Sequence, residues 1–351
     1  KVKEALYLFL LQKREENELS QAFTAYNTRI VAPPHGSMLP MSPVRKNILM
    51  VACALGLLIP VVIIFICENM NTRVRGRKDL ESVTVPFIGE IPLFTRKKKG
   101  IFRKKPQEVR AIVVKEGSRD IINEAFRVLR TNLEFMTGKD KASNVIIVTS
   151  FNPGSGKSFL TMNIAVSFAI KGKKVLVIDG DLRHGSASSY IDSPTKGLSD
   201  YLGGRIDNLN EIIVTNPKQK YLDILPVGTI PPNPTELLFD DRLKQVIDTV
   251  REQYEYVLID CPPIELVADT QIIEKLADRT IFVVRAGLLE LSMLAELEKI
   301  YGEKKYKNMS LILNGTEGSG GRYGYRYGYR YGYHYGYGSE YHYGSDEKYI
   351  E

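Results

Sequence analysis

Phe151-Asn-Pro-Gly-Ser-Gly-Lys-Ser158 (FNPGSGKS) follows directly on Val145–Ser150 (VIIVTS), an apolar run rich in β-branched residues. A helical stretch opens from it, near residues 156–170. Strand, glycine-rich turn and helix start together describe a phosphate-binding loop. The glycines let backbone N–H groups curl round phosphate oxygens, the lysine reaches the β- and γ-phosphates, and the serine hydroxyl is a magnesium ligand. The loop therefore comprises Asn152, Pro153, Gly154, Ser155, Gly156, Lys157, Ser158 and Phe159, with Phe151 standing where the usual first glycine would be. An accidental glycine turn would not require a strand before it and a helix after it.

Two acidic stretches lie downstream. Val175–Arg183 (VLVIDGDLR) places Asp179 and Asp181 at the end of an apolar strand, and Tyr256–Pro263 (YVLIDCPP) does the same with Asp260. Ligands of open α/β sheets bind where the strands end, so all three carboxylates can converge on the loop. Mg²⁺ takes oxygen ligands and keeps several waters, so one carboxylate suffices to hold it, directly or through water. A second acid is then available as a base, and either Asp179 or Asp181 can serve.

Around these motifs the pattern is regular. Strand-like runs recur at Val145–Thr149, Val175–Ile178, Leu222–Leu225, Tyr256–Ile259, Thr280–Val284 and Met309–Leu313. Helical stretches lie between several of them, near 156–170, 235–253, 268–277 and 289–301. The alternation predicts an α/β fold of P-loop NTPase type: a mostly parallel sheet with helices on both faces.

The N-terminal part differs. Residues 1–29 carry helical spacing and abundant charge, and a proline-rich joint (APPHGSMLPMSP) follows. Ile48–Cys67 is twenty residues without a charge, the length that spans a bilayer. Arg45 and Lys46 precede it, whereas Arg73, Arg75, Arg77 and Lys78 follow, with RKKKGIFRKK at Arg96–Lys105 close behind. This bias places the C-terminal side in the cytoplasm, and the net charge of +7 concentrates in those clusters. They suit an anionic inner leaflet better than nucleic acid. Cys53, Cys67 and Cys261 show neither zinc nor disulfide spacing. The chain starts at Lys1, within a helical pattern, and reads as the C-terminal part of a longer protein.

Eleven of the last 29 residues are tyrosines: Tyr323, Tyr325, Tyr327, Tyr329, Tyr331, Tyr333, Tyr335, Tyr337, Tyr341, Tyr343 and Tyr349. With glycine and charge but few aliphatics, this segment cannot bury enough apolar surface to order itself. Alone it fits a single-strand nucleic-acid binder, a weak self-associating segment, a spacer or a set of phosphoacceptors. The adjacent phosphate loop favours the last. Glu124, Arg127 and Arg130 (NEAFRVLR), spaced by threes, fit either intrahelical ion pairs or an intersubunit patch.

PGSGKS, VIDGDLR, YVLIDCPP, EAFRVLRTN, GLSDYL, LPVGTIPPNPTELL and the tyrosine cluster together resemble the bacterial tyrosine kinases. The membrane span, the proline-rich joint and Tyr26-Asn-Thr-Arg-Ile30 resemble the end of the polysaccharide co-polymerase (chain-length determinant) module fused to them. The resemblance implies an ATP- and Mg²⁺-dependent autokinase of the bacterial inner membrane. Lys157 and Ser158 would hold phosphate and metal, Asp181 and Asp260 would help hold the metal, and Asp179 would act as base. The helix carrying Glu124, Arg127 and Arg130 would join subunits into a ring in which each tail enters a neighbour's site. Capsule or exopolysaccharide polymerisation and export proteins, a tyrosine phosphatase and inner-membrane lipids would be its partners, and nucleic acid would not. The implied domains are a co-polymerase end (1–47), a membrane helix (48–67), a juxtamembrane linker (68–118), a kinase domain (119–315) and a tail (316–351).

The competing readings are a partition- or septum-type ATPase, or a nucleotide-binding scaffold without phosphotransfer. Partition-type enzymes carry a lysine five residues before the loop lysine; here that residue is Asn152.

Overall fold

The computed structural model describes residues 2–23, 36, 44–94, 111–138, 144–216, 219–264 and 268–316. The tail tyrosines from Tyr323 to Tyr349, the basic run at Arg96–Lys105 and the Tyr26–Ile30 motif lie outside the described residues. The chain divides into two units, residues 1–71 and 72–351.

The first unit holds two helices. Helix α1 (Val2–Phe23) is exposed along its length and carries local ion pairs, Lys13–Glu16 and Arg14–Glu18, at 2.6 and 2.9 Å. Helix α2 (Arg45–Asn69) contains the uncharged run and Pro60. Its stretch Arg45–Ile66 has a mean hydropathy of 3.0 and is long and apolar enough to cross a membrane. At about 1.5 Å per residue, 25 residues reach ~37 Å, beyond the ~30 Å of a hydrocarbon core.

The second unit is built on one sheet. Its strands are β1 (Phe87–Pro92), β2 (Val145–Thr149), β3 (Val175–Asp179), β4 (Val214–Thr215), β5 (Leu222–Leu225), β6 (Tyr256–Asp260), β7 (Arg279–Arg285) and β8 (Met309–Thr316). They lie in the order β1-β8-β7-β2-β6-β3-β5-β4, parallel throughout except for β4 against β5. β2 and β3 are buried at every position, as expected of strands covered on both faces. Alternate residues serve opposite cores. Val145 and Ile147 join the face packed by α5 (Leu198–Leu202), α6 (Pro234–Leu238), α7 (Asp241–Gln253), α8 (Asp269–Glu274) and α9 (Met293–Gly302). Ile146 and Val148 join the face covered by α3 (Ile121–Thr137) and α4 (Lys157–Ile170).

All six predicted strands are present, and the predicted helix over 235–253 is two. Asp240 caps α7, accepting the Arg242 N–H at 2.8 Å, and its extended backbone separates α6 from α7.

The largest difference concerns the stretch read as linker, residues 68–118. Val74 is fully buried; its N–H donates to the Leu289 carbonyl at 2.8 Å and its carbonyl accepts from Gly287 N–H at 2.7 Å. Glu298 accepts from the backbone and the hydroxyl of Thr84. β1 then adds an outer parallel strand beside β8, and Val113 and Val114 donate to the buried Asn163 side chain. The domain thus takes in residues on the near side of the expected boundary at 119. Gly89 and Pro92 hide this strand, because both residue types are depleted in sheets. They suit this place: a Cβ on Gly89 would press against Leu129 of α3 at 3.3 Å, and Pro92 ends an edge strand.

Ile91 is fully buried in β1. Ile91→Ala is expected to destabilise the domain by about 2–4 kcal/mol, read from urea unfolding of a fragment starting at Thr72. A loss under about 0.5 kcal/mol would mean that β1 belongs to a detachable linker.

Candidate active site

The phosphate loop leaves β2 near the middle of the sheet and turns into α4. Gly154 and Gly156 both have positive φ, 74° and 85°, a region that side chains other than glycine rarely enter. Gly156 is the residue at the helix start, in left-handed conformation. The loop is stiffened from within: the hydroxyls of Ser150 and Ser155 both donate to the Asn152 carbonyl, at 2.8 and 2.7 Å. Phe151, where a glycine was expected, is buried edge-on against Phe282 at 4.9 Å between centroids. The position therefore anchors the loop to the core. Phe159, on the first turn of α4, packs edge-on against Phe126 of α3.

The sheet brings the three carboxylates to this loop. Asp179 and Asp260 end their strands side by side, in direct register across β3 and β6, and Val148 of β2 lies opposite Asp260. Asp179 is fully buried and Asp260 nearly so. Burial pushes the Asp179 carboxyl up to about 8, reinforced by Asp260 and opposed by hydrogen bonds from Ser188. Burial likewise pushes Asp260 up to about 7, against the pull of the Ser158 hydroxyl and the Lys157 ammonium. Asp181, two residues on, is accepted into a turn: its Oδ1 takes the N–H groups of Arg183 and His184, each at 3.2 Å. Cys261 is fully buried behind the cluster, and burial raises its thiol well above the ordinary range.

Both oxygens of Asp260 and Oδ1 of Asp179 are buried without a hydrogen-bond partner among the described residues. Leaving such oxygens unpaired costs about 1–3 kcal/mol each, more for charged groups. A hard cation and its waters would satisfy them. Among the described residues no three His, Cys, Asp or Glu side chains form a metal cage by themselves. Mg²⁺ needs no such cage: one or two carboxylates serve beside a hydroxyl, waters and phosphate oxygens. The donor set Ser158, Asp181 and Asp260 fits Mg²⁺, and the loop fits a nucleotide's phosphates.

Two further residues reach the loop from β7 and β8. Asn314, at the end of β8, donates its amide to the Ser155 carbonyl at 2.8 Å. Arg285 of β7 lies opposite Asn314 in register. Its Nη1 would be 3.5 Å from a Cβ on Gly156. The sequence carried a signal for Asn314, a polar residue closing the apolar strand LIL, as Asp179 and Asp260 close theirs. Asn314→Leu is expected to weaken ADP binding by about tenfold, roughly the worth of one buried hydrogen bond, while melting shifts by only a few degrees. Calorimetric titration checks it; unchanged affinity would show that the loop holds its shape unaided.

On α3, Arg127 pairs with Glu124 at 2.5 Å, the local i,i+3 bridge. Arg130 donates to the Ser167 carbonyl of α4 at 2.8 Å. Glu124 and Arg127 thus sit together on the outer side of α3, whereas Arg130 is tied to the neighbouring helix.

A family model described as an AAA domain matches residues 143–311. The chain is 31% identical over 296 residues to tyrosine-protein kinase Etk of Escherichia coli K12, covering 81% of this chain and 40% of that protein. It therefore spans about two fifths of that relative's length. The solved kinase domain of Escherichia coli ETK aligns with a TM-score of 0.60 at 29% identity, covering 76% of this chain and all of that one. The BceF tyrosine kinase domain aligns at 0.58 and 30% identity, covering 69% of this chain and 99% of that one. With its phosphate loop and acidic strand ends placed on this sheet, the chain belongs to the bacterial tyrosine kinase family.

Proposed function

We propose that this chain is the kinase-bearing part of a membrane-anchored, ATP-dependent tyrosine autokinase that phosphorylates its own tail within a homo-oligomer. The observation that carries the reading is the convergence of Lys157, Ser158, Asp179, Asp181 and Asp260 at the carboxyl edge of one parallel sheet. Lys157 and the backbone of Asn152–Phe159 bind the phosphates. Ser158, Asp181 and Asp260 hold Mg²⁺, which when bound offsets the charge of the phosphate oxygens. Asp179, buried and with Oδ1 unpaired, takes the proton of the acceptor phenol late in the transfer. A phenol with a pKa near ~10 needs such a base only as its oxygen bonds to phosphorus.

The acceptors are the tail tyrosines from Tyr323 to Tyr349, and Glu124, Arg127 and Arg130 contribute to the surface between subunits. The tail's charges nearly cancel before modification: Arg322, Arg326, Arg330 and Lys348 against Glu340, Asp346, Glu347 and Glu351. Each phosphate adds about −1.5 to −2, so a few make neighbouring tails repel one another. The phosphate count then sets whether the ring persists, and through it capsule or exopolysaccharide polymerisation and export at the inner membrane. Export and polymerase proteins, anionic lipids and a phosphatase that resets the tail complete the partner set.

The test is mass spectrometry of the protein after incubation with Mg²⁺ and ATP, beside Lys157→Met. Phosphotyrosine within 323–349 in the wild type alone supports the reading. ATP hydrolysis without phosphotyrosine would instead favour the partition-type ATPase.

A further inference from the structure

Asp179 owes its orientation to a residue outside the motifs. Ser188 opens the short turn Ser188–Ile191, in the loop after β3, and is 3% exposed. Its N–H and its hydroxyl both donate to the same oxygen, Oδ2 of Asp179, at 2.6 and 2.7 Å. The direction of the hydroxyl proton follows from the third contact. Val227 N–H donates to Ser188 Oγ at 2.9 Å, so a lone pair of that oxygen is taken. A hydroxyl has one proton, and it goes to the carboxylate.

Two donors from one residue, one on rigid backbone and one itself held from behind, fix the rotation of the carboxyl group. Oδ2 is consumed by this clamp. Among the described residues Oδ1 is left without a hydrogen-bond partner, on a residue in direct register with Asp260 across the sheet. Val227 is fixed in turn: it follows β5, and its carbonyl accepts from Ser199 N–H at 2.9 Å. The clamp thus ties the ends of β3 and β5 to one carboxylate through its Oδ2.

We propose that Ser188 is a positioning residue for phosphotransfer, holding Asp179 so that Oδ1 alone faces the acceptor. The proposal rests on the kinase reading above, in which Asp179 acts as base. Ser188 acts here through Asp179, the residue that both its N–H and its hydroxyl meet.

A double-mutant cycle on the full chain in detergent tests it, following initial rates of phosphotyrosine formation against ATP concentration. Ser188→Ala should lower kcat by about 10–30-fold and leave KM for ATP within about twofold, the mark of a group that acts in the transition state. In the Asp179→Asn background the same change should alter kcat by less than about twofold, because nothing remains to be positioned. If alanine prevents folding, judged by melting, Ser188→Cys keeps the volume with a poor donor and is read the same way. Equal losses in both backgrounds, or a raised KM with kcat unchanged, would overturn the proposal. Wild-type protein that forms no phosphotyrosine would overturn the kinase reading, and this inference with it. An Asp179→Asn form as fast as wild type would leave the kinase reading intact and remove both the base and its clamp.

Discussion

Lys157→Met should reduce phosphotyrosine formation by at least about a thousandfold, equivalent to ~4 kcal/mol of transition-state stabilisation, while the domain stays folded. The lysine is the first residue of α4, held there by the left-handed Gly156. Its ammonium is the positive charge that opposes the burial of Asp260. Methionine keeps the stem length and the helix propensity, so packing and the helix start survive. What disappears is the charge that meets the phosphates where negative charge spreads during transfer. The melting temperature should move by only a few degrees, and ADP affinity should fall by far less than the rate. Retention of more than about a tenth of the wild-type rate would show that the loop lysine is not the phosphate clamp.

Asp260→Asn should do two opposite things: abolish activity and make the metal-free protein more stable. Among the described residues both oxygens of Asp260 are buried without a partner in hydrogen-bond geometry, the Ser158 hydroxyl acting on it from outside that geometry, and a second buried carboxyl stands beside it. The folded pKa of Asp260 is raised from 3.8 to about 7. A carboxyl raised in this way carries no penalty below the unfolded pKa. The destabilisation grows as pH rises from about 4 to about 7 and is complete above that. The asparagine form should therefore melt several degrees above wild type at pH 8 in EDTA, on the order of 2 kcal/mol, and the gap should close towards pH 4. Mg²⁺ with ADP should reverse the ranking, because binding stabilises only the form that keeps the ligand. Equal melting of the two proteins at pH 8 in EDTA would mean that the cluster carries no stored repulsion.

The strands that position the site were legible because each is apolar on both faces and ends in an acid or a polar turn. VIIVTS, VLVID and YVLID announce their burial and their carboxyl ends in the same few residues. Convergence between distant segments was not legible. Ser188 lies in a loop that folds back to reach Asp179 and Val227, and Asn314 reaches Ser155 from a strand 159 positions away. Neither contact leaves a periodic trace. β1 was hidden for a different reason: glycine at 89 suits the close approach of Leu129 of α3, and a glycine weakens the strand's signature in the sequence. Arg127 forms the local i,i+3 pair with Glu124 that its spacing allowed.

The pairing of β1 with β8 also dictates when this domain can become whole. Phe87 is synthesised well before Leu311, its partner in the ladder, and the Thr316 hydroxyl meets the Ile91 carbonyl across 225 positions. Contacts of that span are the slow ones to form. Until β8 is synthesised, the first strand waits unpaired and the apolar side chains of residues 74–91 have no complete core to enter. While the residues between β1 and β8 are made, the sheet thus stays open at this edge, and premature termination anywhere before residue 309 leaves β1 without its partner strand.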